Sequence, residues 1–179
     1  MLDFRAIWRD ALTYDRFVAE STKNCELWTG VYRLAVVPRW ALDGVPTEGM
    51  RLLVIVEDWC GDASNTVPLL AKLAAESPRV EVKVVRRDEH PEIMDQYLTG
   101  GSRSIPIIIA LDAHYNELGH WGPRPSELQA FVMASRDTVP KAELYPQVRR
   151  WYARDRGETT LREVFALVLP TRAAEGGSA

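Results

Sequence analysis

Leu52-Leu53-Val54-Ile55-Val56, running through Glu57-Asp58 into Trp59-Cys60-Gly61-Asp62-Ala63, decides how this chain is read. An unbroken apolar run of that length is the pattern of a strand buried on both faces. A helical pattern follows over 65–76, with Val67, Leu70, Leu73 and Ala74 on one apolar stripe. A cysteine passed from such a strand to the first turn of a helix faces unpaired backbone N–H groups and the positive end of the helix dipole. Both favour thiolate over thiol. Glu57, Asp58 and Asp62 oppose a further negative charge at the same place, so the sign of the net pKa shift stays open. Arg103 enters as an offset if its loop approaches Cys60.

Working outward, residues 1–40 carry helical spacings, first Phe4, Ile7, Trp8 and Leu12, then Leu27, Val31, Leu34 and Ala35. Gly44 to Gly49 reads as a loop, and 51–57 as the strand already described. Ser77-Pro78 ends the helix, and Val80 to Val85 alternates as a second strand. A short helix is predicted over 92–98, stopped by Gly100-Gly101. Ile105-Pro106-Ile107-Ile108-Ile109-Ala110-Leu111 reads as a buried strand, and 115–121 as an antiparallel edge strand joined to it by a short turn. Ser126 with Gln129, and Thr160 with Glu163, have the spacing of capping boxes for helices ending near Ser135 and Leu169. A further helix is expected over 146–156, closed by Gly157. Alternation of this kind implies a mixed sheet of about four to five strands covered by helices on both faces.

At 179 residues the chain suits one domain with a good core. The net charge of −3, with no dense Lys/Arg run, argues against nucleic acid as a partner. The apolar runs are too short to cross a bilayer, and the first residues lack the pattern of a secretion signal. Two cysteines, Cys25 and Cys60, make no disulfide framework and no zinc spacing. The expectation is a reduced, cytoplasmic protein with no metal and no cofactor. His90, His114 and His120 read as helix-entry, turn and strand residues, and no catalytic histidine is assigned.

The strand, the Trp-Cys-Gly turn, the helix and the later Ser104-Ile105-Pro106 step together resemble the thioredoxin superfamily. More narrowly, Glu57 to Ala63, Asp95-Gln96-Tyr97-Leu98 and Arg103-Ser104-Ile105-Pro106 resemble a bacterial thioredoxin-like family with an N-terminal helical extension and a Trp-Cys-Gly-Asp-Ala motif. Trp151-Tyr152 and Asp155-Arg156-Gly157 fit the same likeness. The resemblance implies a single thioredoxin-like domain over 1–170: a helical extension at 1–45, a core at 50–135 and C-terminal helices at 136–170. The tail at 171–179 is expected to be disordered on composition. It further implies a cis bond before Pro106, with that loop lying against Cys60 and Ile105 lining the site.

The resemblance makes Cys60 the candidate nucleophile, with Trp59, Gly61, Asp62, Ala63, Ile105 and Pro106 supporting it. Ala63 occupies the position of a dithiol centre's second cysteine, and Val54 the position where dithiol members commonly place a buried acid. Dithiol reductase activity is therefore expected to be weak or absent. Three routes remain for a Cys60 adduct: a small thiol, Cys25, or another protein. Asp62 reads equally well as a helix-stabilising carboxylate in the first turn.

Three functions compete at this point. The first is single-cysteine thiol–disulfide exchange with a protein disulfide or low-molecular-weight thiol. The second is a non-catalytic interaction module that kept the groove and lost the chemistry. The third borrows from monothiol glutaredoxins, which can hold an iron–sulfur cluster with glutathione. The chain departs from their motif at Asp62-Ala63, and its sequence displays no clear basic pocket.

Overall fold

Met50–Val56 forms the centre of the sheet because all but Arg51 of its side chains are buried, as a strand with neighbours on both edges and helices on both faces requires. The computed structural model describes residues 2–169. Along the chain come α1 (Phe4–Asp10), β1 (Leu12–Thr13), α2 (Tyr14–Glu20), α3 (Cys25–Leu34), α4 (Arg39–Asp43), β2 (Met50–Val56) and α5 (Gly61–Glu76). They are followed by β3 (Val80–Arg86), α6 (Pro91–Met94), β4 (Ile107–Leu111), β5 (Glu117–Trp121), α7 (Ser126–Ser135), α8 (Lys141–Asp155) and α9 (Glu158–Val168). The strand order is β1-β3-β2-β4-β5, with β2 parallel to β3 and the other pairs antiparallel. This is the α/β thioredoxin-like fold, a five-stranded mixed sheet flanked by helices.

Several boundaries differ from the sequence expectation, each for a local reason. Leu12 is not helical: Leu12 and Thr13 pair with Val84 and Lys83 as a two-residue edge strand, too short to leave a period. The Thr13 hydroxyl then caps α2 by accepting from the Arg16 N–H at 3.3 Å. The predicted helix at 92–98 shrinks to the single turn Pro91–Met94. Beyond it, Gln96 and Tyr97 donate three residues back, to Ile93 and Met94, which tightens the chain and ends the helix. The strand after Pro106 starts at Ile107, since proline has no N–H for the ladder. The edge strand starts at Glu117, because the Asp112 carboxylate holds the N–H groups of His114 and Asn116 in a turn.

Neither capping box forms. Pro125 and Gly157 occupy the N-cap positions of α7 and α9. The Glu163 carboxylate instead accepts from the Ser126 N–H at 3.0 Å, from the Ser126 hydroxyl and from the Trp121 indole, tying β5 and α7 to α9. The helix expected at 146–156 begins five residues earlier, with Pro146 inside it, and ends at Arg156 in the left-handed region. Gly157 follows at φ 81° with its missing Cβ facing Leu69, a place no larger residue fills.

The apolar side chains form two groups. The main core takes both faces of the sheet together with α5, the N-terminal helices and α9, through Leu161, Val164 and Phe165. A smaller cluster joins Leu128 and Val132 of α7 to Leu144, Val148 and Tyr152 of α8. Among the described residues no helix is long and apolar enough to cross a membrane. The expected tail at 171–179 lies outside the described residues.

Candidate functional site around Cys60

The helix after the central strand starts four residues earlier than its apolar stripe suggested, at Gly61, and Cys60 is its N-cap. The Cys60 N–H is held by the Glu57 carbonyl at 3.1 Å, which closes the turn leaving β2. In this position Cys60 Sγ accepts from the Ala63 N–H at 3.5 Å and donates to the Ile105 carbonyl at 3.4 Å. The Ile105–Pro106 peptide is cis and its loop lies against the sulfur, as the resemblance implied. A second cis peptide, Gly122–Pro123, had no sequence expectation. A Cβ on Gly122 would stand 2.1 Å from the Pro106 carbonyl, so glycine lets this turn press against the Pro106 loop.

Cys60 is only 7% exposed. Burial pushes its thiol up, to about 11, and outweighs the Ala63 and Asp62 N–H groups that favour the thiolate. The Asp62 carboxylate adds to the rise and Arg124 opposes it. The sign left open by the sequence is thus upward, and the resting group is a buried thiol. Arg103 is not its offset, because both arms of its guanidinium are held by Asp95 at 2.7 Å.

The cation beside the site is Arg124, in the Gly122-Pro123-Arg124-Pro125 turn between β5 and α7. It pairs with Asp62 across a side-chain contact in which both partners are mostly buried. The other Asp62 oxygen accepts from the Tyr152 hydroxyl at 2.9 Å. Asp62 therefore does more than favour a helix end, since it ties α5 to the β5–α7 turn and to α8 at the edge of Cys60. Burial, with Asp62 next in effect, pushes the Tyr152 phenol far up, so it remains a hydrogen-bond donor. A rigid arginine between two prolines, and a tyrosine in a segment already matching the likeness, were the signals available in the sequence.

The remaining supporting residues fall around this centre. Trp59 is 47% exposed, with the Arg87 guanidinium 4.8 Å above its ring. Gly61 is exposed with open space where a Cβ would point. Ala63 and Val54 are fully buried hydrocarbon side chains, with neither a second sulfur nor an acid to offer. Asp58 faces the other way: Asp58 Oδ2 accepts from the N–H groups of Thr22 and Lys23 at 2.7 and 3.0 Å, and its carbonyl from the Trp28 indole at 2.9 Å. Burial would raise this carboxyl, but those N–H groups and Arg86 hold it below its ordinary value. Glu57 is raised by burial and accepts from the Asp88 N–H at 2.8 Å.

Cys25 opens α3 on the surface and donates to the Ser21 carbonyl at 3.3 Å. Both thiols are free. A groove of about 580 Å³ opens over Cys60, between the 103–105 loop and α8, and includes Asn24 and Leu27 but not Cys25. Its walls carry four arginines, at 87, 103, 124 and 149, of which the first three are paired with carboxylates. Among the described residues no group of three or more His, Cys, Asp or Glu side chains is arranged to hold a metal ion.

The fold and this turn define a thioredoxin-type site. A family model described as "Thioredoxin" (Thioredoxin_9) matches residues 11–141, and the chain belongs to that family. A thioredoxin of Chlamydia caviae is 36% identical over 61 residues, which span 34% of this chain and 57% of that protein. Among solved structures, PA1234 of Pseudomonas aeruginosa, a protein of unknown function, superposes with a TM-score of 0.73 at 20% identity, covering 94% of this chain and 98% of that one. An HIV epitope-scaffold superposes equally well at 17% identity, covering 93% and 98%. At those identities the likeness establishes the fold alone.

Proposed function

We propose that this protein carries out thiol–disulfide exchange through Cys60 alone. The observation that carries the reading is the position of Cys60 Sγ, at the helix N-terminus, against the Ile105 carbonyl and at the base of a groove. Deprotonated Cys60 attacks a disulfide sulfur, a mixed disulfide forms, and the leaving thiolate takes up a proton. With Ala63 in place of a second cysteine, the adduct persists until another thiol attacks it. The partner is a protein disulfide or a low-molecular-weight thiol or disulfide, in a reducing, cytoplasmic setting.

The raised Cys60 pKa favours a second reading, a non-catalytic binding module that uses Trp59, Ile105 and the groove as a partner surface. Intact-mass measurement separates the two. Wild type and Cys25→Ser are incubated with bis(2-hydroxyethyl) disulfide at pH 8.5, with Cys60→Ser as control. Exchange requires an adduct on Cys60 that an added thiol removes. An unmodified Cys60 after hours, in a protein whose Cys25 has reacted, leaves the binding module.

A further inference from the structure

We propose that the groove beside Cys60 receives a low-molecular-weight disulfide carrying carboxylate groups, with Arg149 as the cation that meets the carboxylate. The inference rests on the exchange reading and names its substrate class. The groove, at about 580 Å³, lies within the roughly 300–1,000 Å³ typical of small-molecule sites. Val132, Leu144 and Val148 give it an apolar wall for the methylene and sulfur atoms of a small disulfide.

Charge selects among small disulfides. Among the described residues Asp62 is the only acidic side chain in the lining, and its oxygens are already taken by Arg124 and Tyr152. Of the four arginines, Arg124 is paired with Asp62 and Arg103 with Asp95. Arg87 is held by Asp88 and by the Arg103 carbonyl. Arg149, on the exposed side of α8, has no carboxylate or carbonyl partner for its guanidinium among the described residues. The groove's outstanding charge is thus positive, in a chain whose net charge is −3. A carboxylate on a disulfide bound in the groove that Cys60 and Arg149 both line would be attracted by that unpaired guanidinium, and a cationic disulfide would be repelled.

The step balances without another reagent. Cys60 gives its proton to solvent, its sulfur bonds to one sulfur of the ligand, and the ligand's S–S bond breaks. Cys60 is oxidised, and the departing carboxylate-bearing thiolate is reduced and takes up a proton. The disulfide is the oxidant.

The test compares rates of Cys60 adduct formation in Cys25→Ser protein at pH 8 with three small disulfides: 3,3′-dithiodipropionate, bis(2-hydroxyethyl) disulfide and cystamine. Insulin supplies a protein disulfide. Dithiodipropionate should react fastest and cystamine slowest, with the spread shrinking in high salt as exposed charges are screened. Arg149→Gln should cut the ratio of the anionic to the neutral rate about threefold, the size of one exposed ion pair. Equal rates for the three small disulfides, a lead for cystamine, or faster reaction with insulin overturns this assignment and leaves exchange at Cys60 standing. An unreactive Cys60 with all four probes overturns both.

Discussion

Replacing Asp62 with asparagine should make Cys60 a stronger acid. Asp62 places a carboxylate beside the sulfur, which adds to the rise in the thiol's pKa, while Arg124, paired with that carboxylate, already opposes the rise. Asparagine removes the first effect and leaves the second, while its side-chain oxygen can still accept from Tyr152. A neighbouring charge typically moves a pKa by about 1–3 units, and one unit at the lower end is taken here because burial, the largest cause, is untouched. From a starting value of about 11, the thiolate share at pH 8 then rises from roughly 0.1% to roughly 1%. A more acidic thiol is also a weaker nucleophile, with a Brønsted coefficient of about 0.4–0.5, so the alkylation rate at pH 8 should rise only about threefold.

The assay is the rate of iodoacetamide alkylation against pH, read by intact mass in a Cys25→Ser background. Its midpoint distinguishes an electrostatic change from simple opening of the groove, which would raise the rate at every pH without moving the midpoint. A midpoint that stays near 11, or climbs, would refute the electrostatic account of this site.

Three other outcomes follow from the same geometry. Ala63→Cys, three residues from Cys60 in the first turn of α5, should close an intramolecular disulfide on mild oxidation, seen as a fall from three titratable thiols to one, and should raise insulin-reducing activity above that of the wild type. Cys60 binds its proton more tightly folded than unfolded, so its contribution to stability is complete below about pH 9 and lost as pH rises towards about 11. Urea unfolding should therefore show about 2 kcal/mol lost between pH 8 and 10.5 in wild type beyond any loss in Cys60→Ser, and parallel curves would contradict the burial of the thiol. Asp58→Ala leaves the Thr22 and Lys23 N–H groups without their acceptor, and about 1–3 kcal/mol of stability should go, with faster hydrogen exchange over 21–34; unchanged exchange there would argue against this anchor.

The parts of the fold legible in the sequence were those with a period or a specific step. The central strand, the alternating β3, the Ile107–Leu111 run and the Trp-Cys-Gly turn all carried their signal within a few residues. Leu12–Thr13 did not, because a two-residue strand exists only through its partner on β3. Ser126 and Glu163 each looked like half of a local cap, yet they bond to one another across 37 residues of chain. The candidate site divides in the same way. Cys60, Ile105 and Pro106 could be placed from the motif, whereas Arg124 and Tyr152 reach Asp62 from 62 and 90 residues away. No spacing rule connects residues that meet only after the sheet and α8 are in place.

That division explains why the charge state of the sulfur was the hardest quantity to read. The local terms, a helix N-terminus and two backbone N–H groups, favour a thiolate and are visible in the sequence. The opposing term is burial, contributed by the Pro106 loop and by α8, both distant in the chain. Burial wins, and Cys60 rests as a thiol at neutral pH. A dithiol centre in that condition would have a sulfur at Ala63 and an acid near Val54 to take the proton, and this chain has neither. Under the exchange proposal, the groups of the resting site that favour the thiolate do not overcome its burial, and a lower pKa requires a change in that site. An incoming anion cannot lower the pKa by charge, since it disfavours a second negative group. Lowering it would take relief of burial, as by drawing α8 away so that water reaches the sulfur. The Asp62–Arg124–Tyr152 contacts are the bonds such a movement would have to loosen.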